Sequence, residues 1–357
     1  MKKIMKLSIL AVLVLVSLVT QSSFAATSQN TVIPDAVKKN AKSWVNGQIS
    51  DNDFLTVLQQ LVNNGMLVLS TSQSHSSQSS VSSNLNCTSA ATAGINWSGC
   101  DLSGRNLSNV NLSGADLSGS ILKGTTLSKS DLSGADLSGA NLDSANLSGA
   151  NLDGAKFYGT NFKNANLNGA ILADAKLAGA NLDGANLSGA NLAFESLVDV
   201  KLHGTNLNNS DLSGADLSRA DISGAKLTYS RFYGTNFFGA NLKGADLSNS
   251  ELAGANFFNA NLANANLSYA DLPDVNLSFA DLTGSTLTST SFLDSKMTWA
   301  KLGQAKLEGA DLTGVDMSNA DLTGTDLKNA DMSGVKMDNA KLVNTIRLCL
   351  NNPICLG

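Results

Sequence analysis

The chain has 357 residues, with 31 Gly, 3 Pro, 43% apolar, 5% aromatic and 15% charged side chains. So few rings exclude a core of mixed aliphatic and aromatic packing, and space must be filled mainly by small residues and Leu. The 24 basic and 29 acidic groups give a net charge of −5, which excludes a strongly basic nucleic-acid binder, and 2 His leave little for a His-based metal or catalytic site.

The first segment reads as an address. Lys2, Lys3 and Lys6 precede an apolar run from Leu7 to Thr20, and Ser23-Phe24-Ala25 offers the small residues that a signal peptidase reads. The run is too short to cross ~30 Å of hydrocarbon comfortably, and no later stretch reaches the ~18 apolar residues of a spanning helix. Residues 1–25 are therefore expected to be a signal peptide. The rest is expected to be acidic and secreted, periplasmic or on the cell surface.

Residues 26–69 change to helix language. Pro34 suits a first turn, Val37, Ala41, Trp44 and Val45 recur at helical spacing, and Gly47 ends the run. Ser50 with Asp53 reads as a capping box ahead of Phe54, Leu58, Leu61 and Val62, and Gly65 is a natural stop for a second helix. Ile33-Pro34, Lys39-Asn40-Ala41, Trp44, Gly47 to Asp51 and Phe54 resemble a short helix pair of secreted archaeal proteins, although Asp35-Ala36 stand where that pattern has an aromatic. This small α-helical module is read as a cap or spacer. Residues 70–86 are mostly Ser with Gln, Thr and Asn, a flexible linker by composition, and His75 within it is read as solvated.

From Trp97 to Leu342 an apolar residue recurs at every fifth position without a slip, giving (342 − 97)/5 + 1 = 50 units. From Leu102 onward the 49 centres are 38 Leu, 6 Phe, 4 Met and 1 Ile; two places earlier stand 28 Ala, 7 Ser, 6 Thr, 5 Val and 1 Cys, with Arg105 and Glu195 as misfits. Neither helix nor strand has a period of five. A chain turning a corner every five residues points the centre and the small residue inward, and leaves Asp or Asn, Ser and Gly outside as turn formers. His203, just after a centre, should then be solvated surface. Glu195, at an inward place, needs a partner or a local bulge, and the expected answer is a distorted corner that exposes it.

Ala135-Asp136-Leu137-Ser138-Gly139 and Ala185-Asn186-Leu187-Ser188-Gly189 carry the A(D/N)LXX pattern, and here the sequence resembles the pentapeptide-repeat family. That resemblance implies an all-β solenoid, a right-handed quadrilateral β-helix of about 12 coils with four pentapeptides per coil, so that residues 20 apart stack. At ~4.8 Å per coil the rod over 87–346 is roughly 60 Å long. Its filled interior should leave no pocket for a buried active site.

Four Cys allow three pairings. Cys87 and Cys100 flank the first coil, while Cys349 and Cys355 lie in the tail, 347–357. The two ends stand much farther apart than the ~7 Å a disulfide tolerates, so Cys87 should pair with Cys100 and Cys349 with Cys355.

Some cytoplasmic members of the family are DNA mimics that inhibit a type II topoisomerase, which is one alternative function. B-DNA carries one charge per ~1.7 Å, about 35 over such a rod, whereas residues 97–342 hold 26 acids and 17 bases, 26 − 17 = 9 in excess. The charges also alternate along the stack, as in Asp281, Lys301, Asp321, Lys341, in Lys296, Asp316, Lys336 and in Lys306, Asp326. Nucleic-acid mimicry, and nucleic acid as a partner, are disfavoured. A second alternative, an enzyme, has no nucleophile, base or metal constellation to stand on, and neither cofactor nor metal is expected. The favoured reading is a non-enzymatic structural or interaction rod. Tyr233, Phe238, Phe258, Phe279 and Trp299 should form an exposed aromatic strip for a protein, a glycan or a neighbouring rod, with self-association included.

Overall fold

The computed structural model describes residues 87–346 and 348–356. The expected signal peptide, helical module and Ser-rich linker lie outside the described residues. Among the described residues no helix is long and apolar enough to cross a membrane.

The pentapeptide frame becomes a solenoid in which the residue before a centre bridges, in parallel, the residue 20 places on, from Asn96↔Asp116 to Asp326↔Ile346, at every unit but Ile171 and Lys176. Ala185–Gly189 illustrates the unit. Leu187 and Ala185 are fully buried. The Leu187 amide donates to the Asn206 carbonyl at 2.7 Å, and the Asn206 amide donates back to Ala185 at 2.9 Å, so each pair of coils is stitched twice per face. The chain then turns, with the Ala190 amide closing on the Leu187 carbonyl at 3.0 Å and Gly189 at φ +71°. An i to i+3 bond with positive φ at the second central residue is the signature of a type II turn, which explains the preference for Gly there. The Asn186 side chain accepts the Ser188 amide at 3.2 Å, the Asx geometry that explains Asp or Asn before the centre. Its own amide donates to Asn166 at 3.3 Å, continuing an Asn ladder that Asn206 extends at 3.0 Å.

The core is a column of Leu, Phe, Met and Ala. Phe237 and Phe257, both fully buried, stack at 4.6 Å. Inward Ser and Thr are tolerated because their hydroxyls return to backbone carbonyls: Ser120 to Leu117 at 2.7 Å and Thr160 to Leu137 at 2.7 Å. Among the described residues no buried side-chain polar atom lacks a partner.

Cys87 is bonded to Cys100 and Cys349 to Cys355, with Cα atoms 5.7 and 5.0 Å apart. At the first coil the misfit Arg105 reaches out of the stack to the Cys87 carbonyl at 2.7 Å, and the Trp97 indole donates to Ser89 at 3.2 Å. After the last coil the tail ends in a 3-10 turn at Pro353–Leu356. Cross-coil ion pairs form at Lys301–Asp281, 4.0 Å, and Lys341–Asp321, 3.2 Å. Lys296, Asp316 and Lys336 stack through their backbone bridges. Exposed pairs of this kind are each worth about 0–1 kcal/mol.

Candidate interaction surface and an opened coil

Phe238 and Phe258 follow successive Phe centres, while Phe279 and Trp299 occupy the turn place two after a centre. The solenoid brings these four to one corner in consecutive coils. Ring centroids are 5.8 Å apart for Phe238–Phe258 with planes within 4°, 5.3 Å for Phe258–Phe279 at 54°, and 6.2 Å for Phe279–Trp299 within 3°. Phe238, Phe279 and Trp299 are 43%, 49% and 55% exposed, and Phe258 is half-buried between its neighbours. Phe237 and Phe257 back the strip from inside.

Phe279 and Trp299 have φ +62° and +61°. That region costs roughly 1–2 kcal/mol for a residue bearing a Cβ, and bulky residues are rare in it. Asn259 and Asn319 hold the same corner in nearby coils at φ +56° and +62°, so residues better suited to this backbone stand on either side of the two rings.

Tyr233 does not join the ring ladder. It stands at the preceding corner, 44% exposed, with its hydroxyl donating to the Glu251 carboxylate, and that hydrogen bond holds its pKa above the ordinary tyrosine value. Below the strip, Arg219 grips Asp199 through two bonds of 2.9 and 2.8 Å. His203 is exposed, its Nδ1 lying 2.9 Å from the Ser223 hydroxyl.

The regular stacking expected of every coil needs correction at one junction. Asn166↔Asn186 and Asn181↔Lys201 are bridged, but Ile171 and Lys176 between them have no bridge to Asn191 and Ser196. The Leu172 and Leu177 amides, which by the repeat should donate upward, and those of Asn191 and Ser196, which should donate downward, make no such bonds. The ladder resumes above, with Asn191↔Asp211 and Ser196↔Asp216. Two faces of one coil junction are thus parted into a cleft of about 590 Å³, lined by Tyr158, Asp174, Lys176, Asn191, Phe194 and Glu195 among others.

Glu195 is the cause legible in the chain. An Ala at its place lets the coils close, as Ala175 does against Ala155 below. A glutamate is too long and too polar for that interior. Its carboxylate accepts the Asp174 amide, replacing the carbonyl that amide would otherwise meet, and Glu195 ends half-buried. Burial raises its pKa above the ordinary glutamate value, against the lowering effect of the Asp174 amide and of Lys176. The sequence expectation of a distorted, exposed corner holds in part, since the distortion is present and the carboxylate is only half out. The lost ladder itself had no signal in Ile171 to Ala180, which stay in perfect frame.

Compared with known proteins, the family described as pentapeptide repeats (8 copies) matches overlapping stretches across residues 86–193, 196–288 and 291–346. The first break in the match falls on Phe194 and Glu195. No curated protein matches the chain. Similar solved structures include HetL, a pentapeptide repeat protein involved in heterocyst differentiation regulation from Nostoc sp. strain PCC 7120, 27% identical over 75% of this chain and 94% of that one, TM-score 0.24. QnrB1, a plasmid-mediated fluoroquinolone resistance protein, is 20% identical over 66% of this chain and 94% of its own, TM-score 0.28. A pentapeptide repeat protein of the Arabidopsis thaliana thylakoid lumen is 25% identical over 36% and 69%, TM-score 0.15. The assignment rests on the repeat rather than on these superpositions: from Trp97 to Leu342 this chain belongs to the pentapeptide-repeat family.

Proposed function

We propose that the protein is a non-enzymatic rod, exported from the cytoplasm by residues 1–25, that binds a protein partner through the strip Phe238, Phe258, Phe279 and Trp299. Tyr233 lies on its flank. The carrying observation is the continuous ring ladder over four coils, two of whose members occupy left-handed backbone that their neighbours fill with Asn. Backbone strain spent on exposed aromatic area marks a functional surface rather than a packing solution.

The ring geometry favours a protein over a glycan. Two of the three ring contacts are stacked and one is tilted, at 5.3–6.2 Å, so neighbouring rings cover part of one another's faces. Sugars bind by lying on an aromatic face, whereas apolar side chains of a protein partner, or of a neighbouring rod, fit between ring edges. DNA mimicry is not adopted, because the excess of 9 acids falls far below a duplex of similar length and many carboxylates already face a cation one coil away. The reading assigns no catalytic residue, cofactor or metal.

The test is Phe258→Ser with Trp299→Ser in the full chain. Loss of partner capture or self-association, with circular dichroism unchanged, is expected. Unchanged capture, self-association and surface retention would remove the strip from the reading. Fractionation of a C-terminally tagged chain, with and without residues 1–25, tests export separately.

A further inference from the structure

The cleft at the opened coil junction is independent of the aromatic strip. Twelve coils of regular stacking are interrupted at one place between Asn96 and Leu350, and the interruption leaves backbone donors and acceptors on both lips without coil-to-coil partners. Backbone groups withdrawn from their ladder must find water or a ligand, or each lost bond destabilises the fold. A single residue holds the lips apart, and 28 of the other inward places carry the Ala that would let them close. A costly local defect that one substitution would repair points to a use for the opening.

The side chains at the mouth say what could enter. Asp174, at φ +54°, and Lys176 stand on the lower lip on either side of Ala175, and neither side chain joins an ion pair or hydrogen bond among the described residues. Along several other ladders an acid and a base meet one coil away, as Lys123 meets Asp143 and Arg231 meets Asp211, but Lys176 stacks on Lys156, which already serves Asp136 at 3.5 Å. Glu195 supplies a second carboxylate from the upper lip. An anion alone would face two carboxylates, and a cation alone would compete with Lys176 for Glu195 and leave the open amides unserved. A ligand carrying both charges close together satisfies the whole set. The ring of Tyr158, 47% exposed, adjoins an apolar wall of Ala173 and Ala178 that suits a side chain. The volume, about 590 Å³, lies within the ordinary range of small-molecule sites.

We propose that this cleft binds an α-amino-acid zwitterion, as a free amino acid or a dipeptide. Its ammonium sits against Asp174 and Glu195, and its carboxylate against Lys176 and the unpaired lip amides. The apolar side chain rests against Tyr158, Ala173 and Ala178.

The probes are L-leucine, L-phenylalanine and alanyl-leucine, each titrated into the full chain by calorimetry and by thermal shift, with N-acetyl-L-leucine amide as the uncharged control. Saturable binding and a dose-dependent rise in Tm are expected for at least one zwitterion, and at least ~10-fold weaker binding for the blocked amide. Asp174→Asn and Lys176→Gln, surface changes that leave the core intact, should each weaken binding at least ~10-fold. Glu195→Ala should abolish it by closing the lips. The proposal is overturned if no zwitterion binds the folded protein, if the blocked amide binds equally well, or if the Asp174 and Lys176 variants bind as the parent does.

Discussion

Phe194 lies across Gly214, the residue one coil above it: a Cβ built on Gly214 would stand 2.6 Å from two atoms of the ring. Gly204 also has positive φ, +63°, but a Cβ there meets nothing within 4 Å. Both Gly→Ala changes place a Cβ in left-handed backbone at roughly 1–2 kcal/mol. Gly214→Ala must in addition push the ring aside. Thermal melts should therefore show Gly214→Ala to be the more destabilising by about 1 kcal/mol, on the scale of small overpacking effects; equal losses would mean the ring is not seated there.

Inside and outside differ sharply within one pentapeptide. Leu187 is fully buried, whereas Asn186 beside it takes part in the outer Asn ladder. Leu187→Asp buries an unpaired carboxylate and should cost several kcal/mol; Asn186→Asp keeps the oxygen that accepts Ser188 and should cost under ~1 kcal/mol. Chemical denaturation of both variants checks this. Equal losses would reverse the assignment of faces.

Glu195→Ala should stabilise the rod. Lys176 would regain its bridge to Ser196 and Ile171 its bridge to Asn191, as Asn166↔Asn186 and Asn181↔Lys201 have on either side, and each recovered backbone bond is worth about 0.5–1.5 kcal/mol. The pH dependence gives an independent sign. The folded Glu195 has a raised pKa, so the native state holds its proton more tightly than the unfolded chain does. Its ionisation penalty accordingly grows as pH rises from the ordinary glutamate value through the raised one, and is fully present above it. The difference in Tm between parent and Glu195→Ala should shrink in acid, and a constant difference would assign the effect to packing alone.

The turn aspartates behave in the opposite sense. Asp316 and Asp331 have lowered pKa values, chiefly through hydrogen bonds from the hydroxyl groups of Ser318 and Ser333, with Asn151 playing a similar part for Asp131 after Ser133. Their contribution is present above the unfolded aspartate value and lost as pH falls through the folded one. Acid should therefore loosen the turns, and added salt should not mimic it, because hydrogen bonds rather than ion pairs dominate. Ser318→Ala should raise the Asp316 pKa toward its ordinary value in a carboxyl NMR titration.

Much of this architecture could be read from the chain. A five-residue frame with small residues two before each Leu specifies inside and outside without reference to neighbours, and residues 20 apart, such as Phe238 and Phe258, could be placed together once four units per coil were adopted. The cleft could not. Whether a ladder closes depends on a contact between coils, and Ile171 to Ala180 obey the repeat while their partners do not hold them. Glu195 marked the place but not the consequence, since a misfit either leaves the stack, as Arg105 does toward Cys87, or wedges it open. Nor did the frame reveal that Tyr233 would turn to Glu251 rather than join the strip.

Phe279 and Trp299 separate stability from binding. Their backbone, at φ +62° and +61°, is one that Asn adopts at 259 and 319 on the same corner. Replacing both rings by Asn forfeits the stacking of Phe279 on Trp299 and of Phe258 on Phe279, worth about 0.5–1.5 kcal/mol per pair, and relieves strain of roughly 1–2 kcal/mol at each site. The two effects oppose each other, so the double variant should unfold within about 1 kcal/mol of the parent. Partner capture should nevertheless be lost, because half of the ring ladder is gone. A residue kept for packing would behave otherwise: its removal would lower stability and leave binding alone. Denaturation and pull-down on the same preparation distinguish the two, and a large loss of stability with capture intact would make the strip a structural seam of the rod.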